Sequence, residues 1–302
     1  MPRPPWPPGA VGGEDETAGD GTGEPASPAA VGALGRPRLH LRLTDSTNAR
    51  ARALALAGAP HGTLVTADAQ AAGRGRQGRS WTAPAGSSLL MSLVLRGHRP
   101  GGGDWALLPL AAAVAVCDVV PGEPRIKWPN DVVFERPDRV AAGGAAAGGA
   151  AAAGGAAAGG AAAAGGAAGG AAALEKVAGI LVEGRPQAGW AVLGIGLNAA
   201  LRLGELPPEV RAGAATLGLD VSDIEPLLAG LLDAISRRIG ESREATLAAW
   251  SARDALLGRP VRWAEGSGRA DGVDEEGRLV VALAGGGRVA LGAGEVHLTG
   301  IG

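Results

Sequence analysis

The sequence predicts an α+β chain, a mixed β-sheet with flanking helices followed by a small all-β barrel. Three observations predict it. Between residues 38 and 252, short apolar stretches rich in β-branched residues are interleaved with stretches of helical character. From Leu256 the pattern changes: GRPVRWAEG, GRADGVDEEG, RLVVALAGG and GRVALGAGEVHL are short strands with glycine turns, close enough in sequence for a barrel of about 45 residues. The 302 residues are enough for one large unit and a small one.

Residues 1–37 are rich in Pro, Gly, Ala and acid and lack apolar periodicity, so a disordered tail is expected, with no helix-turn-helix. Order begins at RLHLRL (38–43), an alternating, edge-like strand. TDSTNARARALALAGA reads as a helix, with Thr44, Asp45 and Ser46 as N-cap candidates and Gly58 as the stop. Strands follow over 62–70 and 87–96, and Asp104 is placed to cap a helix over about 105–120. RIKWPNDVVF (125–134) reads as two strand pieces broken at Trp128-Pro129-Asn130, because Pro129 has no N–H for a ladder. KVAGILVEG (176–184) and GWAVLGIGLNA (189–199) read as adjacent antiparallel strands, and helices are expected over about 223–239 and 242–252. The expected division is a main domain over 38–252 and a small barrel over 253–302. Within the main domain, the Ala/Gly tract 141–173 reads as a flexible insertion in a hairpin; its paired glycines each cost a helix about 1 kcal/mol. Lengthening a loop this far costs about 0.6 kcal/mol per doubling, so the fold is expected to tolerate it.

Composition narrows the function. The 28 basic and 30 acidic residues give a net charge of −2, which argues against a general nucleic-acid binder. One cysteine, Cys117, excludes a disulfide framework and sits in an apolar run, as a buried structural thiol does. No secretory signal or membrane span is read, so the cytoplasm is the expected location. Lysine occurs only at 127 and 176, and asparagine only at 48, 130 and 198; all five fall in motif-like stretches.

GRGRQGRSW (73–81) matches G-x-G-x-x-G. A dinucleotide site, however, needs a helix after the glycines and an acid about 20 residues on. Here Pro84 and Gly86 lead into a strand, and no acid occurs between Asp68 and Asp104. The remaining reading is an anion-binding loop. Its glycines let the backbone approach a ligand, and Arg74, Arg76 and Arg79 offer forked contacts to phosphate or carboxylate.

Five stretches in order, TDSTNA (44–49), ADAQAAGRGRQGRSW (67–81), IKWPND (126–131), KVAGILVE (176–183) and GIGLNA (194–199), resemble the biotin protein ligases, over about residues 38–300. The resemblance is to the monofunctional type, without an N-terminal DNA-binding domain. It implies a catalytic domain like the class II synthetases, an SH3-like terminal barrel, and a soluble monomer or weak homodimer that binds neither DNA nor membrane. It also implies ATP-dependent formation of biotinyl-adenylate and transfer of biotin to a lysine of the biotin carboxyl carrier domain of acyl-CoA carboxylases. ATP and Mg2+ would serve with biotin as substrate, and no prosthetic group would be tightly held.

By the resemblance Lys176 and Arg76 are catalytic. Ser46, Thr47, Asn48, Gln70, Arg74, Gly75, Arg76, Lys176, Gly179, Gly194 and Gly196 would meet biotin. Arg74, Arg76, Arg79, Trp81, Lys127, Asn130 and Asn198 would meet ATP or the adenylate, and Asp131 would either help hold magnesium or position the incoming lysine. The residue types leave second readings open: Ser46, Thr47 and Asn48 also suit helix capping, Gly179 a strand bulge, and Trp81 core packing. Two departures stand out: Gln77 occupies a position where the family commonly has arginine, and the Ala/Gly insertion directly precedes Lys176. Two other classes compete, a lipoate or octanoate transferase and a non-enzymatic biotin or nucleotide sensor.

Overall fold

The computed structural model describes residues 34–97, 105–136, 173–185, 189–292 and 297–298. The expected tail falls outside these residues except for 34–37, as does the expected insertion except for Ala173, and Asp104 also lies outside them.

Seven strands form the main sheet: β1 (Arg38–Thr44), β2 (Leu64–Gln70), β3 (Leu89–Arg96), β4 (Arg125–Lys127), β5 (Asp131–Arg136), β6 (Ala173–Arg185) and β7 (Trp190–Leu197). Their order is β1-β2-β3-β7-β6-β5-β4, so the 38–43 segment is an edge strand as its alternation suggests. Only β1 and β2 run parallel, joined by the crossover helix α1 (Thr47–Leu56). Every other neighbouring pair is antiparallel, and β4 and β5 turn at Trp128–Asn130 where Pro129 interrupts the ladder.

The two faces of this sheet differ. One carries α2 (Leu108–Val119), α4 (Ile224–Ile239) and α5 (Arg243–Ser251) over a core including Met91, Leu93, Ile180, Leu193 and Leu197. Helix α2 is almost wholly apolar, and Pro109 is tolerated in its first turn, where no N–H is needed. Of the longer described helices, α1 lies on the other face, packed through Ala51 and Ala55 on Val65, Val94 and Val192. The rest of that face is left for a site.

Cys117 is buried in α2, and desolvation pushes its thiol up to about 12. At pH 8 roughly one molecule in ten thousand then carries the thiolate. Ellman's reagent should therefore leave the folded protein unmodified over an hour and titrate one thiol after denaturation.

The expected terminal barrel is present as a second, antiparallel sheet of five strands: β8 (Pro260–Trp263), β9 (Gly266–Val273), β10 (Leu279–Ala282), β11 (Arg288–Leu291) and β12 (His297–Leu298), in the order β11-β10-β9-β8-β12. Val261, Ala270, Leu279 and Val281 belong to the same core as Leu107 and Leu110, so the two sheets share one apolar cluster. The Trp128 indole N–H donates to the Gly277 carbonyl at 3.0 Å, and Ile126 exchanges backbone hydrogen bonds with Arg253 and Ala255. The segment 200–222, which carries no periodic signal, contains a short helix, α3 (Pro208–Arg211).

Candidate active site

The uncovered face of the main sheet holds a cavity of about 210 Å³. Its floor is flat for a reason legible in the chain. Gly179 of β6 pairs with Gly196 of β7, and Gly194 lies two residues along the same strand. Residues two apart share a face, so three positions here present no side chain. Leu90, Met91, Ile180, Leu181 and Ile195 supply the apolar lining around them.

One end of the cavity is polar and neutral. Asp45 accepts from the Ser46 N–H at 2.8 Å and from the Thr44 hydroxyl at 2.9 Å, and these two bonds hold its carboxyl below the usual carboxylate range. Ser46 caps α1, accepting from the Ala49 N–H at 3.4 Å, so the capping reading of this residue holds in the fold. The Thr47 N–H and hydroxyl donate to Gln70 Oε1 at 2.7 and 3.1 Å. Ser92, on the cavity face of β3 and fully buried, donates to Asn48 Oδ1 at 2.6 Å and lies 2.9 Å from Thr47 Oγ1. Asn48 Nδ2 donates to Glu183 Oε2 at 2.9 Å. The Asn48 carboxamide lies directly over Gly194, where a Cβ would overlap it.

The other end is cationic. Residues 73–81 form a small hairpin: Arg74 bridges Ser80, the Gly75 N–H donates to the Arg79 carbonyl at 2.6 Å, and the Trp81 N–H donates to the Gly73 carbonyl at 3.0 Å. Its tip turns through Gln77 (φ 53°) and Gly78 (φ 76°), both left-handed. Glycine takes that conformation freely, whereas Gln77 bears a cost of about 1 kcal/mol there. The hairpin sets Arg74, Arg76 and Arg79 on the cavity wall.

Lys176 stands between the two ends. Lys176 pairs with Val133 and Ala178 with Val132, so Val177 is an extra residue in β6, a bulge. The bulge turns Lys176 onto the face of Gly179, within 3.0 Å of where a Cβ there would lie. Its ammonium lies 2.7 Å from Asp131 Oδ1, both side chains being mostly buried, and 5.3 Å from the centroid of the Trp81 ring. Backbone bonds from the Lys176 N–H to Gly213 O and from the Ala215 N–H to Lys176 O pin the strand at this residue. The Trp81 indole lies on the glycine floor, 2.6 Å from a Cβ built at Gly196 and 3.1 Å from one at Gly179. The flat ring these two glycines admit here is therefore the protein's own.

Of the residues singled out in the sequence, Ser46, Thr47, Asn48, Gln70, Arg74, Gly75, Arg76, Arg79, Trp81, Asn130, Lys176, Gly179, Gly194 and Gly196 all line this cavity. Asp131 reaches it through Lys176. Lys127 and Asn198 are not among the lining residues. The Asn198 amide donates to Ala215 O at 2.9 Å and lies 3.5 Å from Lys176 O, which ties the end of β7 to the segment that pins β6. Sequence reasoning missed Ser92, Glu183, Glu209 and Val210. Ser92 had a signal, a lone hydroxyl in the apolar strand LLMSLVLR, and Glu183 closes a motif already quoted. Glu209 and Val210 come from α3, in the unread segment.

Among the described residues, no three His, Cys, Asp or Glu side chains are grouped to hold a metal ion, and no helix is long and apolar enough to cross a membrane.

Comparison with known proteins places this arrangement. Residues 40–198 match the family model described as "Biotin/lipoate A/B protein ligase family". A biotin–[acetyl-CoA-carboxylase] ligase of Mycobacterium tuberculosis is 33% identical over 273 residues, 84% of this chain and 86% of the relative. One from Paracoccus denitrificans is 32% identical over 264 residues, 80% of this chain and 92% of the relative. The crystal structure of the Aquifex aeolicus biotin protein ligase in complex with biotin and ATP shares the fold, with a TM-score of 0.64 and 24% identity over 87% of this chain and all of that one. With the family pattern running through the strands that wall the cavity, and with identity sustained over most of two relatives, the chain belongs to the biotin/lipoate A/B protein ligase family.

Proposed function

We propose that the chain uses ATP to activate biotin as biotinyl-adenylate and then transfers biotin to a lysine of a biotin carboxyl carrier domain. The observation that carries this reading is the polarity of this cavity: a neutral hydrogen-bonding end, apolar walls from Leu90, Ile180 and Leu181, and a cationic end. Biotin has the same three parts, a ureido ring, an apolar thiophane with its valeryl arm, and a carboxylate. Lipoate shares the arm and the carboxylate, but its dithiolane ring offers no hydrogen-bonding group to the polar end that Ser46, Thr47 and Gln70 form. Sites built to hydrogen-bond a substrate reject an analogue lacking the polar group by about 10⁴-fold or more.

In the first step a biotin carboxylate oxygen attacks the α-phosphorus of ATP, and pyrophosphate leaves. Two anions a few ångströms apart repel by about 4 kcal/mol at an effective dielectric near 20. Arg74, Arg76, Arg79 and Lys176 offset that repulsion, Lys176 bridging carboxylate and phosphoryl oxygens, while Trp81 and Asn130 border the nucleotide. Lys127 and Asn198 support the same end from outside the cavity lining. Magnesium brought with the triphosphate would offset part of its charge, and Asp131, beside Lys176, is the carboxylate that would help hold it. Asp131 positions the Lys176 ammonium and stands where an incoming amine would approach. In the second step that amine attacks the acyl carbon, AMP leaves, and an amide forms as the amine loses its proton. We read residues 38–252 as the catalytic unit and the terminal sheet as its support.

Mass spectrometry of a purified carrier domain incubated with the chain, MgATP and biotin should show addition of one biotinyl group. Lipoate in place of biotin should give none; lipoyl addition without biotinyl addition would overturn the reading.

The arginine hairpin also acts as a lid that keeps water from the adenylate. Arg76→Gly should release biotinyl-adenylate and label bystander proteins such as serum albumin, raising their biotinylation at least tenfold on a streptavidin blot. Unchanged selectivity for the carrier domain would remove the lid from this account.

A further inference from the structure

Glu183 is absent from the residues that sequence and cavity lining bring forward, yet it stands at the head of the hydrogen-bond chain behind the polar end. We propose that Glu183 is a positioning residue for biotin: it fixes which way round the Asn48 carboxamide sits and, through Ser92, makes Thr47 present a lone pair to the substrate. The inference rests on the biotin reading above and deepens it.

Counting protons along the chain gives the result. An ionised carboxylate only accepts, so the Glu183 contact at 2.9 Å must come from Asn48 Nδ2. The second amide hydrogen faces the Leu181 carbonyl at 3.4 Å, another acceptor. Asn48 Oδ1 is thereby turned to Ser92, whose single proton meets it at 2.6 Å. With that proton committed, Ser92 has none left to give Thr47, 2.9 Å away. The Thr47 proton goes either to Ser92 or to Gln70 Oε1 at 3.1 Å, and both lie within the protein. Thr47 therefore faces the cavity with lone pairs. Gln70 Oε1 is occupied by the Thr47 N–H at 2.7 Å, so the Gln70 amide turns its NH₂ the other way, toward Gly73. An acceptor beside a donor is the complement of a cyclic urea, with its ring N–H next to its carbonyl. Gly194 completes the arrangement, because only a residue without a Cβ leaves room for the carboxamide at the centre of the chain.

Without Glu183, Asn48 can turn over, Ser92 can give its proton to Thr47, and Thr47 can then offer a hydrogen where biotin also offers one. The test measures the biotin dissociation constant by calorimetry, and KM for biotin and for ATP in pyrophosphate exchange, on the full chain. Glu183→Ala should weaken biotin binding about tenfold and raise the biotin KM equally, with kcat and the ATP KM within about twofold. Glu183→Gln, whose carbonyl still accepts from Asn48, should recover most of the affinity. Ser92→Ala cuts the same chain one residue further along and should repeat the selective loss, which keeps the test open if Glu183→Ala does not fold. An unchanged biotin dissociation constant in either alanine variant overturns the inference. So does equal impairment by Glu183→Ala and Glu183→Gln, which would mark a general structural role. A wild-type chain with no biotin-dependent exchange would overturn the functional reading and this inference with it; wild-type exchange with an unaffected Glu183→Ala would overturn this inference alone.

Discussion

Lys176→Ala is expected to lower biotin-dependent adenylate formation by about a thousandfold, a barrier increase of about 4 kcal/mol. The ammonium is the one lysine charge in the cavity, fixed there by the Val177 bulge and by backbone bonds to Gly213 and Ala215. Arginine should not restore the rate. Its planar fork is wider than an ammonium, and the space between Gly179 and Trp81 is already closed to about 3 Å. The substitution also strands Asp131, whose side chain is only 13% exposed, at a stability cost of about 1–3 kcal/mol. Two losses are thus expected, and they separate. Lys176→Met combined with Asp131→Asn should regain thermal stability in calorimetry while exchange activity stays at the level of the single variant. Recovery of activity in the double variant would deny Lys176 its catalytic part.

Gly194→Ala should be more damaging than the same change at Gly179 or Gly196. Its Cβ would overlap Asn48 Oδ1, and the carboxamide cannot yield without leaving Ser92 and Glu183. Overpacking of this kind costs about 1–3 kcal/mol in stability. Because the displaced group anchors the polar end, the biotin KM should rise about a hundredfold, two or more hydrogen bonds being lost together. Asn48→Ala in the same chain should relieve the overlap and restore the melting temperature without restoring biotin affinity. Gly196→Ala is expected to behave differently, because its Cβ meets the Trp81 ring, which belongs to the hairpin proposed as the lid. Its main effect should be leakage of adenylate, read as free biotinyl-adenylate by chromatography. Equal biotin KM values for the Gly194 and Gly196 variants would contradict this division of the glycine floor.

Most of the architecture was legible because each element carries its own local signal. Alternation marked β1 as an edge, Ser46 and Gly58 bracket α1, and Pro129 separates β4 from β5. The two sheets follow from a change in strand length and turn spacing near Leu256. The segment 200–222 was not legible: backbone bonds joining residues 213–219 to Lys176, Asn198 and Ala199 hold it, not periodicity.

The site divides in the same way. Lys176, Asn48 and Asn130, of types scarce in this chain, line the cavity, and so does the arginine cluster, which its alternating glycines marked. The roles of the glycines were only half legible. Their lack of a Cβ signalled close approach, but only the fold reveals that Asn48 approaches Gly194 and Trp81 approaches Gly196. Glu183 and Ser92 act through other side chains on neighbouring strands, and that pairing depends on register. The Asn198 bond to Ala215 O depends in the same way on how neighbouring segments pair, and the motif alone does not show it.

On the proposed function this cavity joins a biotin carboxylate to the α-phosphate of ATP. Incorporation of labelled pyrophosphate into ATP by the purified chain reads that step alone. Exchange that appears only when biotin is added, is absent with lipoate or octanoate, and is lost in Lys176→Ala is the predicted result. Exchange supported by lipoate or octanoate, or biotin binding with no exchange at all, would contradict it.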